Sequence, residues 1–133
     1  MTSSPDLSEL VRYWWEKAEK SLASAEYEYT MGAYDFAINR LYYGVFYAVS
    51  AWLIENGHNF KKHSGARGLF HREMVNTKLV DKKWAKFYDR LFEDRADSDY
   101  VPMTEFEASY VQTQIELCKQ FIRELKPLIK ALN

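Results

Sequence analysis

Phe36-Ala37-Ile38-Asn39-Arg40-Leu41-Tyr42-Tyr43-Gly44-Val45-Phe46-Tyr47-Ala48-Val49-Ser50-Ala51-Trp52-Leu53 decides how this chain folds. As a helix, it carries Phe36, Ala37, Leu41, Val45, Phe46, Val49, Trp52 and Leu53 around most of its circumference. A helix that is apolar nearly all round belongs at the centre of a bundle. Gly44, Ala48 and Ala51 form a stripe of small residues on it, over which another backbone can approach closely. Gly57 marks its stop, so a helix is predicted from residue 33 or 34 to residue 56.

Four more helices follow from periodicity and punctuation. The first is predicted from residue 7 or 8 to residue 31, with Asp6 or Ser8 as its cap and Gly32 as its stop. Leu10, Trp14, Ala18, Leu22 and Ala25 recur along it at helical spacing and are its expected buried stripe. Only a few residues join it to the central helix, which makes the two antiparallel neighbours. After a loop over 57–62, a third helix is predicted over 64–76, carrying Leu69, Phe70 and Met74. A fourth is predicted over 81–99, with Trp84, Phe87, Tyr88, Leu91 and Phe92 facing inward. Val101-Pro102-Met103 breaks it. Thr104 with Glu107 has the form of a capping box opening the last helix. The stripe of that helix is Ala108, Val111, Ile115, Cys118, Phe121, Ile122 and Leu125, and Pro127 kinks it or marks its frayed end. The expectation is an all-α fold of four to five helices in a single domain over 1–133. The first hairpin has the alanines and aromatics of a tetratricopeptide-type repeat, but the second half holds no copy at the required period.

The chain has 133 residues, 47% hydrophobic and 28% charged, with a formal net charge of -1. That balance gives no global pull toward nucleic acid or an anionic membrane, so any anion site must be local. Cys118 is the only cysteine, which excludes an intrachain disulfide or a cysteine-based metal cluster and points to an inert thiol in a half-apolar run. The first residues lack a basic region followed by an apolar one, and no apolar run approaches the roughly 20 residues a bilayer requires. A cytoplasmic protein with no membrane association is expected.

Three constellations place polar groups where a plain bundle does not need them. Asn39, Tyr42 and Tyr43 share one face of the central helix, and the tyrosines serve either as core fillers or as cleft residues. Arg40 beside them is exposed, or pairs across the bundle with Asp97 or Asp99. Lys61-Lys62-His63, with Ser64 as cap, puts cations beside a helix N-terminus, where backbone N–H groups favour anions. This is either a phosphate site or a solvated basic loop. His63 has no second ligand at a metal-like spacing, so no metal is expected; His58 and His71 read as incidental surface residues. Lastly, Asp94-Arg95-Ala96-Asp97-Ser98-Asp99-Tyr100 sets Arg95 and Asp99 four apart on one helix face.

These segments, in this order, resemble the HEPN family (higher eukaryotes and prokaryotes nucleotide-binding domain). The resemblance is carried by Gly32-Ala33-Tyr34 followed by Asn39-Arg40-Leu41-Tyr42-Tyr43-Gly44-Val45-Phe46-Tyr47-Ala48, by Gly57, by Lys62-His63-Ser64-Gly65, and by Arg95 through Tyr100. It spans nearly the whole chain. It implies an up-and-down helical bundle that dimerises with a polar cleft near the dimer axis. Many members are metal-independent ribonucleases, often toxins, with an Arg-x4–6-His motif whose arginine and histidine meet across two subunits. The chemistry implied is acid–base cleavage with the ribose 2′-hydroxyl as nucleophile. Other members work as the partner of a minimal nucleotidyltransferase in a toxin–antitoxin-like pair.

This chain departs from the motif. Arg95 is present, but no histidine lies four to six residues after it; Asp99 and Tyr100 stand there instead. The resemblance implies a homodimer that binds a nucleotide or RNA phosphate through Arg40, Tyr43, Lys62, His63, Arg95 and Asp99, with no cofactor. Catalysis, if present, would fall to Arg95 with His63 or Tyr100 as proton carrier. The alternatives left open are a ribonuclease and a non-catalytic interaction module. Also open is whether Asp99 neutralises Arg95.

Overall fold

The computed structural model describes residues 4–133 and is all-helical, as expected. Its helices are α1 (Leu7–Thr30), α2 (Tyr34–Glu55), α3 (His63–Phe70), α4 (Lys83–Tyr100) and α5 (Ala108–Leu125). A π-helical turn, His71–Val75, follows α3, and two 3-10 turns, Lys126–Leu128 and Lys130–Leu132, close the chain. Among the described residues no helix is long and apolar enough to cross a membrane.

Local chemistry sets the boundaries. The Asp6 carboxylate accepts from the Glu9 backbone N–H at 2.8 Å and opens α1. Gly32 and Gly57 take φ of +74° and +78°, the left-handed conformation that reverses the chain after α1 and α2. Asp81 accepts from the Lys83 N–H at 2.8 Å and starts α4 two residues after the predicted boundary. α5 stops at Leu125, and Pro127 lies in the 3-10 turn that follows.

Two expected caps are not formed. The Thr104–Glu107 capping box is absent: α5 begins at Ala108, and Glu107 makes no side-chain capping bond. The Thr104 hydroxyl instead reaches back to the Val101 carbonyl at 2.8 Å and the Asp97 carbonyl at 3.2 Å, closing the C-terminal end of α4. Glu107 takes the N-cap position, three residues after Thr104, so the Thr104 hydroxyl is not placed to accept from a first-turn N–H of α5. Ser64 is likewise no cap. Lys62 holds that position without a side-chain bond, and His63 is the first residue of α3.

The central helix is α2, as its apolar circumference predicts. Ala37, Ile38, Leu41, Tyr42, Val45, Ala48, Val49, Ala51 and Leu53 are fully buried. Phe36 is the exception, 55% exposed at the first turn. The small-residue stripe is used inside the molecule: the Gly44 Cα sits against α1, where an added Cβ would lie 3.6 Å from the Ala18 carbonyl oxygen and 3.8 Å from the Leu22 nitrogen. Ala48 and Ala51 are buried in the core. At Gly44 the stripe is therefore a docking seam for α1.

That seam also corrects the buried face of α1. Its buried residues are Val11, Trp15, Ala18, Ser21 and Ala25, whereas Leu10, Trp14 and Leu22 are only half-buried. Close approach at Gly44 selects the small side chains Ala18 and Ser21 for the contact, and the Ser21 hydroxyl donates to the Arg40 carbonyl at 2.8 Å. The larger apolar residues flank the seam. Trp15, Trp84, Tyr42, Tyr88, Phe70 and Phe121 are the largest fully buried side chains of the core. The α5 stripe from Val111 to Leu125 is buried as predicted, with Gln114 added to it.

Candidate functional site

The elements α2, α3 and α4 meet around the Tyr42 and Tyr43 side chains. Arg95, on the last two turns of α4, reaches this point across 52 residues of sequence, and its Nη2 donates to the Tyr43 hydroxyl oxygen at 3.3 Å. Its guanidinium carbon lies 5.3 Å from the Tyr42 ring centroid and 5.6 Å from that of Tyr43. A cation over an aromatic face is attracted by the ring quadrupole. Asp99, one turn on, holds the other side of the guanidinium with its Oδ2 3.2 Å from Arg95 Nε.

His63 enters the same place from the first turn of α3. Its ring centroid is 4.4 Å from Phe46, 5.4 Å from Tyr43 and 5.9 Å from Tyr42. Burial, and then the positive charge of Arg95, push the imidazole below its ordinary pKa. The arrangement thus sets a half-buried imidazole biased toward its neutral form beside a fixed guanidinium, over a tyrosine-rich floor. A neutral imidazole can accept a proton, and a guanidinium can stabilise charge on a phosphoryl oxygen.

Of the other residues singled out in the sequence, Asp99 joins this site through Arg95. Lys62 is exposed at the N-cap position of α3, immediately before His63. Arg40 turns away from any acid across the bundle: its Nη1 donates to the Asn39 side-chain oxygen at 2.7 Å. Tyr100 is 78% exposed and makes no packed contact with the site. Tyr42 is both a site residue and a core filler. It is fully buried, its hydroxyl has no hydrogen-bond partner, and burial, opposed by Arg95, pushes its phenol up to about 12.

A second polar cluster adjoins the first. Arg67, one turn beyond His63 on α3, lies 4.0 Å from the Phe92 ring centroid, and its Nη1 donates to Asp89 Oδ1 at 2.8 Å. His71 Nε2 meets the same oxygen at 2.8 Å, so His71 is no incidental surface residue. Burial works to raise the Asp89 carboxyl, but hydrogen bonds and charge from His71 and Arg67 outweigh it and hold the group below its ordinary value. Tyr88 lies beneath, its phenol raised well above its usual range by burial. Phe92 and Tyr42 are 6.0 Å apart, which joins the two clusters. Sequence reading passed over Arg67 and Asp89 and took His71 for an incidental surface residue. The signal that could have found them is the four-residue repeat His63, Arg67, His71, which puts all three on one helix face; Asp89 is brought to it only by the packing of α4.

One residue before Arg95, the Asp94 carboxylate is buried, accepts from the Tyr110 hydroxyl of α5, and accepts from Arg90 Nε at 3.2 Å. This ties α4 to α5 and leaves Asp94 outside the cleft.

Comparison with known proteins shows the family. The chain is 38% identical over 124 residues to the "UPF0332 protein" of Thermotoga maritima, covering 93% of this chain and 94% of that one. It is 37% identical over 118 residues to a Methanocaldococcus jannaschii protein named "Putative toxin MJ0142", covering 89% of this chain and 80% of the relative. A Pyrococcus horikoshii protein, "UPF0332 protein PH1297", is 29% identical over 128 residues. The family model for the HEPN domain matches residues 11–128, which takes in α2, the His63 turn and the Arg95 end of α4. This chain belongs to the HEPN domain family.

Proposed function

We propose that the chain binds an RNA or nucleotide phosphate in the Arg95–His63 cleft, and that it does so as a homodimer partnered with a minimal nucleotidyltransferase in a toxin–antitoxin-like module. The observation that carries the reading is the meeting of Arg95 and His63 over the Tyr42–Tyr43 pair. A fixed guanidinium and an imidazole on an aromatic floor supply charge, hydrogen-bond donors and a stacking surface for a nucleotide. Exposed Lys61 and Lys62 add positive charge at the rim. The toxin designation of the Methanocaldococcus relative supports the module, and kinship with HEPN proteins supports the dimer and the nucleotidyltransferase partner.

A second reading, metal-independent ribonuclease, is favoured by one observation. His63 occupies space beside Arg95 although no histidine follows Arg95 in sequence. Its lowered pKa suits a general base for the ribose 2′-hydroxyl at neutral pH. A single paired assay separates the readings. RNA binding and RNA cleavage are measured side by side for the wild type, Arg95→Ala and His63→Ala. Binding that falls with Arg95→Ala and with rising salt, without cleavage, supports the first reading. Cleavage in chelator that is abolished by His63→Ala makes the second the leading one. Binding untouched by either substitution rejects the cleft. For the assembly, sedimentation of the 15.8 kDa chain as a monomer at micromolar concentration rejects the homodimer. A gene neighbourhood without a nucleotidyltransferase, or failure of that protein to co-purify when co-expressed, rejects the pairing.

A further inference from the structure

We propose that Arg67 is a second phosphate-binding group of this cleft, so that the site takes two phosphoryl groups in succession; the inference rests on the phosphate reading above. Arg67 and Arg95 are set in the same way. Each guanidinium lies on an aromatic ring, Arg67 on Phe92 at 4.0 Å and Arg95 on Tyr42 at 5.3 Å. Each is held by one carboxylate, Asp89 at 2.8 Å and Asp99 at 3.2 Å. The two rings are 6.0 Å apart, so the two guanidiniums rest on one aromatic pair. His63 and Arg67 lie one turn apart on the same face of α3, a separation of about 6 Å along the helix.

Neither arginine is saturated by its carboxylate. A guanidinium has five N–H donors. The Nε of Arg67 and that of Arg95 are both buried and without a hydrogen-bond acceptor, the latter lying 3.2 Å from Asp99 without a directed bond. The hydroxyls of Tyr42 and Tyr88 are buried without partners in the same region, so four of the six such atoms among the described residues gather here. These atoms are closed off from solvent, so an anion meets the remaining Nη donors of the two arginine side chains, which stay 29% and 21% exposed. Asp89 Oδ1 is shared between Arg67 and His71, which fixes the guanidinium in place while leaving its remaining donors for an anion. Two arginines so placed match two linked anionic groups better than one. Two sources share that chemistry: a diphosphate, or successive phosphates of a single RNA strand.

The test uses the full-length protein and calorimetric titration with inorganic phosphate, inorganic pyrophosphate and the 5′-phosphorylated dinucleotide pUpU. The expected result is that at least one two-phosphate probe binds about tenfold more tightly than inorganic phosphate, the gain of one charge-assisted contact. Arg67→Gln removes that advantage, so that the two-phosphate probes bind no more tightly than inorganic phosphate does to the same variant; Arg95→Gln weakens every probe. Preference for pyrophosphate identifies a free diphosphate, and preference for pUpU identifies a strand. In the wild type, the Arg67 Nε–H resonance shifts on addition of the preferred probe, a readout that stands even where Arg67→Gln fails to fold. Equal affinity for one and two phosphates, or an Arg67 resonance that stays still while that of Arg95 moves, overturns the proposal and leaves the one-phosphate site. If inorganic phosphate also fails to bind and both resonances stay still, the phosphate reading of the cleft falls with it.

Discussion

Arg95 and Tyr43 are joined by a hydrogen bond of 3.3 Å between the end of α4 and the middle of α2. That bond holds the guanidinium on the tyrosine pair against which His63 also packs. Tyr43→Phe is therefore expected to weaken RNA binding by about tenfold or less, and Arg95→Ala by more, because the first removes one neutral contact and the second the charge itself. Fluorescence titration of both variants against a short single-stranded RNA checks the order. A larger loss with Tyr43→Phe contradicts it.

Acidification should loosen the fold through His63. Its folded pKa is lowered from 6.5 by burial and by Arg95, so the unfolded chain binds the proton more readily. The stability contributed is full above about pH 6.5 and is lost as pH falls through the lowered folded value. Asp89, also lowered, adds a second loss at more acid pH, below its ordinary 3.8. Thermal melts between pH 7.5 and 5 are expected to fall for the wild type and to be flatter for His63→Gln. Parallel curves for the two proteins would count against the burial of a neutral imidazole.

The glycines separate two kinds of position. Gly68 lies within α3 with nothing within 4 Å of a built Cβ, so Gly68→Ala should stabilise by about 0.5–1 kcal/mol through helix propensity. Gly32 also has open space, but its φ of +74° disfavours a side chain, and Gly32→Ala should destabilise by about 1 kcal/mol. Urea denaturation of the two variants is expected to give opposite signs.

Removing the Tyr110 hydroxyl should leave the buried Asp94 carboxylate with Arg90 as its remaining partner. Asp94 is 7% exposed and takes a hydrogen bond from Tyr110, so Tyr110→Phe is expected to cost about 1–3 kcal/mol. RNA binding should be unchanged, because Asp94 lies outside the cleft. Denaturation and binding measured on one preparation check both halves.

Cys118 should be silent in the native state. It is fully buried, and burial pushes its thiol up to about 12, so little thiolate exists at neutral pH. A disulfide reagent is expected to label it only after denaturant is added; rapid native labelling would mean that α5 opens.

The number of helices, their approximate limits and the centrality of α2 were determined by sequence alone, because caps, left-handed glycines and apolar periodicity act within a few residues of one another. The Arg95–Asp99 pair was legible for the same reason, since residues four apart on a helix face are neighbours wherever the helix lies. The resemblance carried by Asn39–Ala48, Lys62–Gly65 and Arg95–Tyr100 pointed to the family, which the match over residues 11–128 shows.

Which face of α1 is buried was decided only in three dimensions, because the close approach at Gly44 selects Ala18 and Ser21 over the larger residues a periodicity count prefers. The same holds for Thr104, whose hydroxyl can serve the helix before it or the one after it, and serves α4. The partners of Asp89 and the place of His63 beside Arg95 depend on how α3 crosses α2 and α4, contacts between residues 18 to 52 positions or more apart for which no local pattern exists. A polar side chain has no periodicity of its own; its role is set by what the packed helices bring within hydrogen-bonding distance.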